Sequence, residues 1–460
     1  MSRPPDPSLA PAVGAPAPGA AEHVRGARFL IQGRIPLQGT VRVGGAKNAV
    51  LPAMAAALLT NETCIIERVP QIEDVAILAR VLTTLGAQVE WVDAHTLAIT
   101  ADAIRSFHAP SELVKRMRAS FLVMGPLLAR FGEAASCAPG GDVIGQRPID
   151  VHLVGFGALG AEIRFDGEVY WTRARRLKGC TIFMDYPSHI GTENLLMAAT
   201  LAEGTTIIRN ASAEPEVVDL ARMLVAMGAR IKGAGTSTIV VEGVPRLQGV
   251  RHAVIPDRIE AGTFALATTV TGGSVWIENV RPRHLDALLW KLGEMGVAVE
   301  ERETALWVNA HGRRLRSTNV QCLPYPGYPT DLQATIGAVL TQAEGMSVIH
   351  ERVYDNRLLH VAELRRLGAE IEVSGQTAVI RGPVALAGTT VRALDIRSGA
   401  ALVLAGLAAY GRTEVLEIAH LDRGYERIDE KLRQLGARIE RRNASSCPPP
   451  EGGGAGLSPR

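Results

Sequence analysis

Six basic residues stand where basic residues are usually disfavoured. Lys47, Arg118, Arg258, Arg357, Arg397 and Arg423 each fall at or beside a position that reads as the start of a helix. A helix N-terminus gathers unpaired N–H groups and partial positive charge, which suits anions and disfavours cations. Any one of these residues is explained as part of an ordinary cap or solvated turn. The set points instead to a polyanionic ligand that the added charges meet. Acidic residues share the same junctions, at Asp142 to Asp150, Glu214-Pro215-Glu216, Asp257, Asp331, Asp355, Asp395 and Asp422. Glu214 and Glu216 are sufficiently explained as residues that open a helix. The stretch from Pro139 to Pro148 adds hinge chemistry: Gly140, Gly141 and Gly145 permit unusual backbone angles, prolines bracket it, and a lid closing over ligand is the expectation.

The elements that position these residues follow from a repeat. An apolar helical run, then Leu or Met, then Gly, then a short strand recurs as LTTLGAQVEW, GFGALGAEIRF, LVAMGARIKG, LGEMGVAVEE, LRRLGAEIEV and LRQLGARIE. The glycines, Gly86, Gly160, Gly228, Gly296, Gly368 and Gly436, lie 68 to 74 residues apart. A Gly here ends a helix in a left-handed turn before the chain enters a strand. Asp74 to Leu85 reads as such a helix, with Val75, Leu78, Leu82 and Leu85 on one stripe. Around it each unit reads strand, helix, strand, helix, strand, strand. The units are longer than the roughly 20–50 residues of common solenoids. Three units in each of two similar domains is the economical arrangement, and a single long α/β array is the alternative.

Bulk properties exclude several classes. The net charge of +2 directs nothing toward nucleic acid or an anionic membrane, so an anion site has to be built locally. The five cysteines form no CxxC pair, which argues for a reduced, cytoplasmic setting and against a zinc site. No apolar run approaches the roughly 20 residues of a membrane helix, and Gly399 to Tyr410 reads as a buried core helix. Residues 1–25, rich in Pro, Ala and Gly, lack the pattern of a secretory signal and read as a disordered arm; residues 443–460 read as a disordered tail.

Nine segments in fixed order then carry a resemblance: GGAKNAVLPAMAAALL, VKRMRASFLVMGPLLARFG, PGGDVIGQRPIDVHL, MAATLAEGTTI, AEPEVVDLA, IPDRIEAGTF, YPTDLQA, DNRLLHVAEL and HLDRGYERIDEKLRQLGA. Together they closely resemble the UDP-N-acetylglucosamine 1-carboxyvinyltransferases, from about Phe29 to Arg441. The resemblance implies an α/β fold of two inside-out barrels, each of three βαβαββ units. It implies domains of 26–46 plus 255–442 and of 47–254, with crossings near Lys47 and Ile255 to Arg258. It also implies the reaction: enolpyruvate moves from phosphoenolpyruvate to the 3′-hydroxyl of UDP-N-acetylglucosamine by addition and elimination, opening peptidoglycan synthesis. No metal or organic cofactor, nucleic acid, membrane or obligate protein partner is implied.

Residue roles are carried over position by position. Lys47 and Asn48 resemble the phosphate-contacting pair of a glycine-rich turn. Arg147 and Arg423 resemble arginines on the phosphoenolpyruvate phosphate, and Arg357 and Arg397 are candidates for its carboxylate, where a guanidinium fork suits a planar anion; ordinary ion pairs are the alternative for these two. Arg118 resembles a UDP-sugar contact. Pro148, Ile149, Asp150 and Val151 follow the loop and are expected to line the nucleotide-sugar pocket together with His152, for which a satisfied core histidine is an equal reading. Tyr186, Pro187, Ser188 and His189 occupy the matching uridine-diphosphate segment, although His189 and Ile190 depart from the family pattern. Val353 and Tyr354 flank the uracil in this reading. Asp331 resembles the carboxylate that receives the sugar hydroxyl's proton, and also reads as a cap on a helix starting at Leu332.

Asp142 is the main departure, because most members carry Cys there, as general acid and as the residue alkylated by fosfomycin. An Asp serves as the acid only if burial or a nearby anion raises its pKa. The expectation is an acid that forms on loop closure and an enzyme insensitive to fosfomycin; a solvated aspartate in an inactive relative is the alternative. Two rival functions stay open at this point. One is a shikimate-pathway type of enolpyruvyl transferase, and the other is a silent paralogue that binds the UDP-sugar.

Overall fold

The computed structural model describes residues 26–142, 144, 145 and 149–443. The expected arm over 1–25, the tail from 444 onward, and Arg147 and Pro148 lie outside the described residues.

All six repeat glycines adopt a left-handed conformation, with φ between 88° and 109°. Each follows a helix and precedes a strand, so the recurring phrase marks a recurring turn. The helix Glu73–Leu85 buries the expected stripe of Val75, Leu78, Leu82 and Leu85. Each unit then folds on one plan. Thr181–Phe183 runs parallel to Thr205–Arg209, which pairs antiparallel with Thr238–Glu242, itself antiparallel to Arg230–Lys232. The described strands form six such sheets. In one, the parallel position is reduced to a single bridge between His108 and Ala135.

Three sheets are completed by strands from far along the chain. Arg251–Ala253 joins Cys64–Glu67, and Gln38–Arg42 joins Ser274–Glu278. Arg28–Gln32 inserts between Arg412–Leu416 and Arg438–Arg442, antiparallel to both.

Helices fill the inside. Arg258–Val270, Gln333–Leu340 and Ile396–Ala408 are buried along their whole length and pack on one another, with sheets outside them. A helix apolar on every side is stable only when surrounded in this way. In the other half, His189–Ala199 packs against Lys47–Ala56 and Met124–Phe131. This is the inside-out arrangement of the enolpyruvyl transferase fold. The apolar interior divides into two clusters. One joins residues between Ala27 and Val43 to residues between Ile259 and Ile439; the other runs from Ala46 to Ile255. The two chain passages between the halves lie side by side, with Ala46 N–H donating to the Ile255 carbonyl at 2.8 Å and Asp257 N–H to that of Gly44 at 3.0 Å. Gly45 fits there because a Cβ would stand 1.7 Å from the Arg68 carbonyl oxygen.

Three junctions differ from the sequence expectation. Arg423 follows the short helix Ala419–Asp422, at its C-terminal end, where the dipole favours a cation. Arg357 lies in a turn ahead of Val361–Arg366. Asp331 sits inside the 3-10 turn Thr330–Leu332 and caps no helix, because its carboxylate is engaged elsewhere.

Candidate active site

A cleft of about 360 Å³ opens between the halves. Lys47 and Asn48 enter it at the start of the helix Lys47–Ala56, whose first N–H donates to Asp257 Oδ2 at 3.0 Å. Asp257 thus bridges the chain crossings and also caps its own helix through the N–H groups of Ile259 and Glu260. Arg397 enters from the second residue of Ile396–Ala408, which opens with a reciprocal cap between Asp395 and Ser398. Each cation is held by a fixed helix end, which limits how far it moves.

Two ion-pair groups form the floor. In the first, Asp74 joins the halves: Lys47 Nζ lies 2.8 Å from Asp74 Oδ2, and Arg423 Nε donates to Asp74 Oδ1 at 3.0 Å. Arg423 Nη1 also reaches Asp142 Oδ1 at 2.5 Å. In the second, Asp331 accepts from Arg357 and from Arg397, each at 2.8 Å. Four cationic side chains therefore face three carboxylates.

The electrostatics follow from burial and pairing. Burial alone would raise the Asp142 pKa, but Arg423, Lys47 and Arg357 outweigh it and hold the carboxyl below its ordinary value. Asp142 is therefore ionised in this state, in which no anionic ligand stands beside it. Asp331 is held further down: burial opposes ionisation, and Arg397 and Arg357 overcome it.

The described part of the loop is closed onto the opposite half. The Asn356 N–H donates to the Ile144 carbonyl at 3.3 Å, and a Cβ at Gly145 would meet Asp355 Oδ1 at 1.8 Å. Gly145 also has φ of 115°, so both the contact and the backbone call for glycine.

The cleft is also lined by Arg118, Tyr186, Pro187, Ser188 and His189 from one half and by Val353 and Tyr354 from the other. Ser188 caps the helix His189–Ala199 through the Gly191 N–H at 3.1 Å. His189 Nε2 lies 3.0 Å from Glu193 Oε1. Burial would lower the imidazole pKa, but Glu193, with Glu214 and Glu216, raises it to about 10. His189 is therefore a cation in the cleft wall.

Other expected residues are placed elsewhere. Ile149, Asp150 and Val151 are not among the residues lining the cleft. His152 is buried, with Asn194 3.1 Å from its Nδ1 and Phe121 edge-on against its ring. Burial and Arg118 lower its pKa to about 3, so it is a neutral core histidine. Glu214 and Glu216 make no side-chain cap. Glu216 instead forms a buried two-point pair with Arg258, at 2.9 and 3.2 Å, across the halves. Glu214 lines the cleft, paired with Ser212.

Sequence reasoning missed Asp74. Its only signal was an acidic residue near a helix start, which the dipole explains equally well. The arrangement offers a dense field for a small polyanion, two carboxylates paired with the cations that would meet it, and a wall with room for a larger ligand.

Comparisons with known proteins agree with this geometry. Residues 31–432 match the family model described as EPSP synthase (3-phosphoshikimate 1-carboxyvinyltransferase). The chain is 51% identical over 415 residues to UDP-N-acetylglucosamine 1-carboxyvinyltransferase 1 of Caldanaerobacter subterraneus, covering 90% of this chain and 99% of that protein. It is 49% identical over 421 residues to the UDP-N-acetylglucosamine 1-carboxyvinyltransferase of Gloeobacter violaceus, covering 92% of each. Among solved structures, the enolpyruvyl transferase NikO from Streptomyces tendae superposes with a TM-score of 0.83 at 28% identity, covering 92% of this chain and 100% of that one. EPSP synthase from Acinetobacter baumannii, at 19% identity and a TM-score of 0.71 over 91% of this chain and 100% of that one, shares the fold.

Proposed function

The chain belongs to the UDP-N-acetylglucosamine 1-carboxyvinyltransferase family, and on that premise we propose that it transfers enolpyruvate from phosphoenolpyruvate to the 3′-hydroxyl of UDP-N-acetylglucosamine, releasing phosphate. This step commits the sugar nucleotide to peptidoglycan synthesis.

The observation that carries the mechanism is the occupation of the site's cations by Asp142 and Asp331. Lys47 and Arg423 take the substrate phosphate, joined by Arg147 from the loop and by Asn48. Arg357 and Arg397 take its carboxylate. Each substrate anion competes with an aspartate for the same cations. An aspartate that loses its cations and gains an anionic neighbour becomes more basic. Asp142 then takes up a proton and passes it to the methylene carbon of phosphoenolpyruvate. Asp331 receives the proton of the sugar hydroxyl as its oxygen bonds to the neighbouring carbon. The tetrahedral adduct then returns a methyl proton to the Asp142 carboxylate and expels phosphate, which restores the double bond. Arg118, Tyr186, Pro187, Ser188, His189 and Val353 hold the nucleotide sugar.

The test is phosphate release from phosphoenolpyruvate with UDP-N-acetylglucosamine or shikimate 3-phosphate as acceptor. Release with the sugar nucleotide alone supports the reading. Release only with the shikimate ester, or binding of the sugar nucleotide without release at any pH, overturns it.

A further inference from the structure

The strand Gly345–Glu351 alternates as a half-buried strand does, and Ser347, Ile349 and Glu351 share its inward face. Its last inward position, where an apolar residue is the usual occupant, carries a glutamic acid with no solvent exposure. A buried carboxyl group is retained there only if hydrogen bonds replace water. Glu351 has them. One oxygen accepts from the Val353 N–H at 2.8 Å and the Tyr354 N–H at 3.3 Å; the other accepts from the Thr330 hydroxyl at 2.8 Å. The neighbouring parallel strand Val320–Cys322 ends level with it, with Cys322 opposite Glu351.

These bonds connect two segments of the cleft wall, alongside the pair between Arg357 and Asp331. Thr330 precedes Asp331 in the turn Thr330–Leu332. Val353 and Tyr354 line the cleft, and Arg357 follows them to pair with Asp331. We propose that Glu351 is a positioning residue, whose carboxyl group sets the distance between the Asp331 turn and the Val353–Tyr354 segment and so aligns the sugar hydroxyl with its proton acceptor. It touches no substrate and acts through Thr330, Val353 and Tyr354. The proposal rests on the transferase reading given above.

The experiment uses the full chain and three substitutions. Glu351→Met keeps the length of the side chain and removes all three bonds, together with the one the Cys322 thiol makes to the carboxyl group. Glu351→Gln preserves them, because its amide oxygen accepts from Val353 and Tyr354 while its NH2 donates to the Thr330 hydroxyl. Thr330→Val is nearly isosteric and removes one bond. A displacement of about 1 Å at a reacting group costs on the order of 100-fold in rate. Glu351→Met is therefore expected to lose about 100-fold in kcat/KM for the sugar nucleotide, mostly in kcat, with the KM for phosphoenolpyruvate within about twofold of wild type. Glu351→Gln restores most of that loss. Thr330→Val loses about tenfold, and adds little in the Glu351→Met background because the bond is already gone. A folded Glu351→Met protein with wild-type constants overturns the proposal, as does additive loss in the double variant. If Glu351→Met does not fold, Thr330→Val and Glu351→Gln decide: wild-type kinetics in Thr330→Val, or a loss in Glu351→Gln as deep as about 100-fold, overturns it. Wild-type protein that releases no phosphate refutes the transferase reading instead.

Discussion

Arg423 binds Asp74 and Asp142 with two different nitrogens, at 3.0 and 2.5 Å, so one guanidinium ties the loop to a helix of the same half from across the cleft. Lys47 completes the group on the other oxygen of Asp74. The loop is thus held shut by the same cation proposed to receive substrate phosphate. On that proposal, phosphate binding and loop position are coupled through a single side chain.

Replacing Asp142 tests the acid. Asp142→Asn keeps size and polarity but cannot give up a proton to carbon, and a general acid contributes roughly 10²–10⁴-fold. A fall of that size in kcat, read by phosphate release, is the expected outcome; unchanged turnover removes Asp142 from the chemistry. The kcat of the wild type should decline with rising pH as Asp142 deprotonates in the complex, and Asp142→Cys should carry activity to higher pH, since a thiol has the higher ordinary pKa.

The same substitution tests drug sensitivity. A carboxylate is a poor nucleophile toward an epoxide, so wild type should show no time-dependent loss of activity with fosfomycin. Asp142→Cys should acquire it, with a covalent adduct found by mass spectrometry in the peptide containing residue 142. An adduct on the wild-type loop contradicts the assignment.

Asp331→Asn removes the counter-charge of two buried arginines. Leaving such charges unpaired costs about 3 kcal/mol or more, so the thermal midpoint should fall as kcat falls. The sign of the pH effect follows from the lowered pKa. The stabilisation from Asp331 is present above the unfolded value of about 3.9 and is lost as pH drops toward the folded value. Wild type should therefore lose stability in acid faster than Asp331→Asn, measured by calorimetry across that range.

His189 gives the opposite sign. Its folded pKa is raised to about 10, so its contribution to stability is complete below the unfolded value of about 6.5 and fades as pH climbs to about 10. The thermal midpoint of wild type should decline across that window, and that of His189→Gln should decline less. Parallel curves would show that His189 is neutral.

The pair between Glu216 and Arg258 joins the halves and is buried on both sides. Glu216→Gln should destabilise by about 3 kcal/mol, and Arg258→Lys should also lose stability because it cannot keep both bonds. A double-mutant cycle by denaturant unfolding should give a coupling well above the roughly 0–1 kcal/mol of an exposed pair.

The repeat was legible because its signal is local: a glycine at a helix end is fixed by its own φ, and all six behave alike. Lys47, Arg258 and Arg397 were legible for the same reason, since a cation at a helix start contradicts the dipole within one turn. Asp74 was not, because its second partner, Arg423, lies 349 residues away and nothing near Asp74 marks it. Glu351 was hidden by its strand, where an acidic residue reads as solvent-facing until the neighbouring turns are known. His152 followed the loop motif into the site on paper, but its ring points to Asn194 and Phe121 in the core. The ion pairs of Asp331 were also beyond sequence, since a carboxylate at a helix start looks like a cap until Arg357 and Arg397 are brought to it.

The insertion of Arg28–Gln32 between Arg412–Leu416 and Arg438–Arg442 has a consequence for how the molecule is made. The half spanning 46–255 has all its strands in one continuous stretch, so a nascent chain can complete it once that stretch has left the ribosome. The other half cannot close, because its first strand must wait for neighbours encoded at the opposite end of the message. At roughly 5–20 residues per second that wait is on the order of twenty to eighty seconds. Throughout it, Phe29, Leu30 and Ile31 travel as an unpaired apolar segment, and a partly synthesised chain is at its most adhesive there.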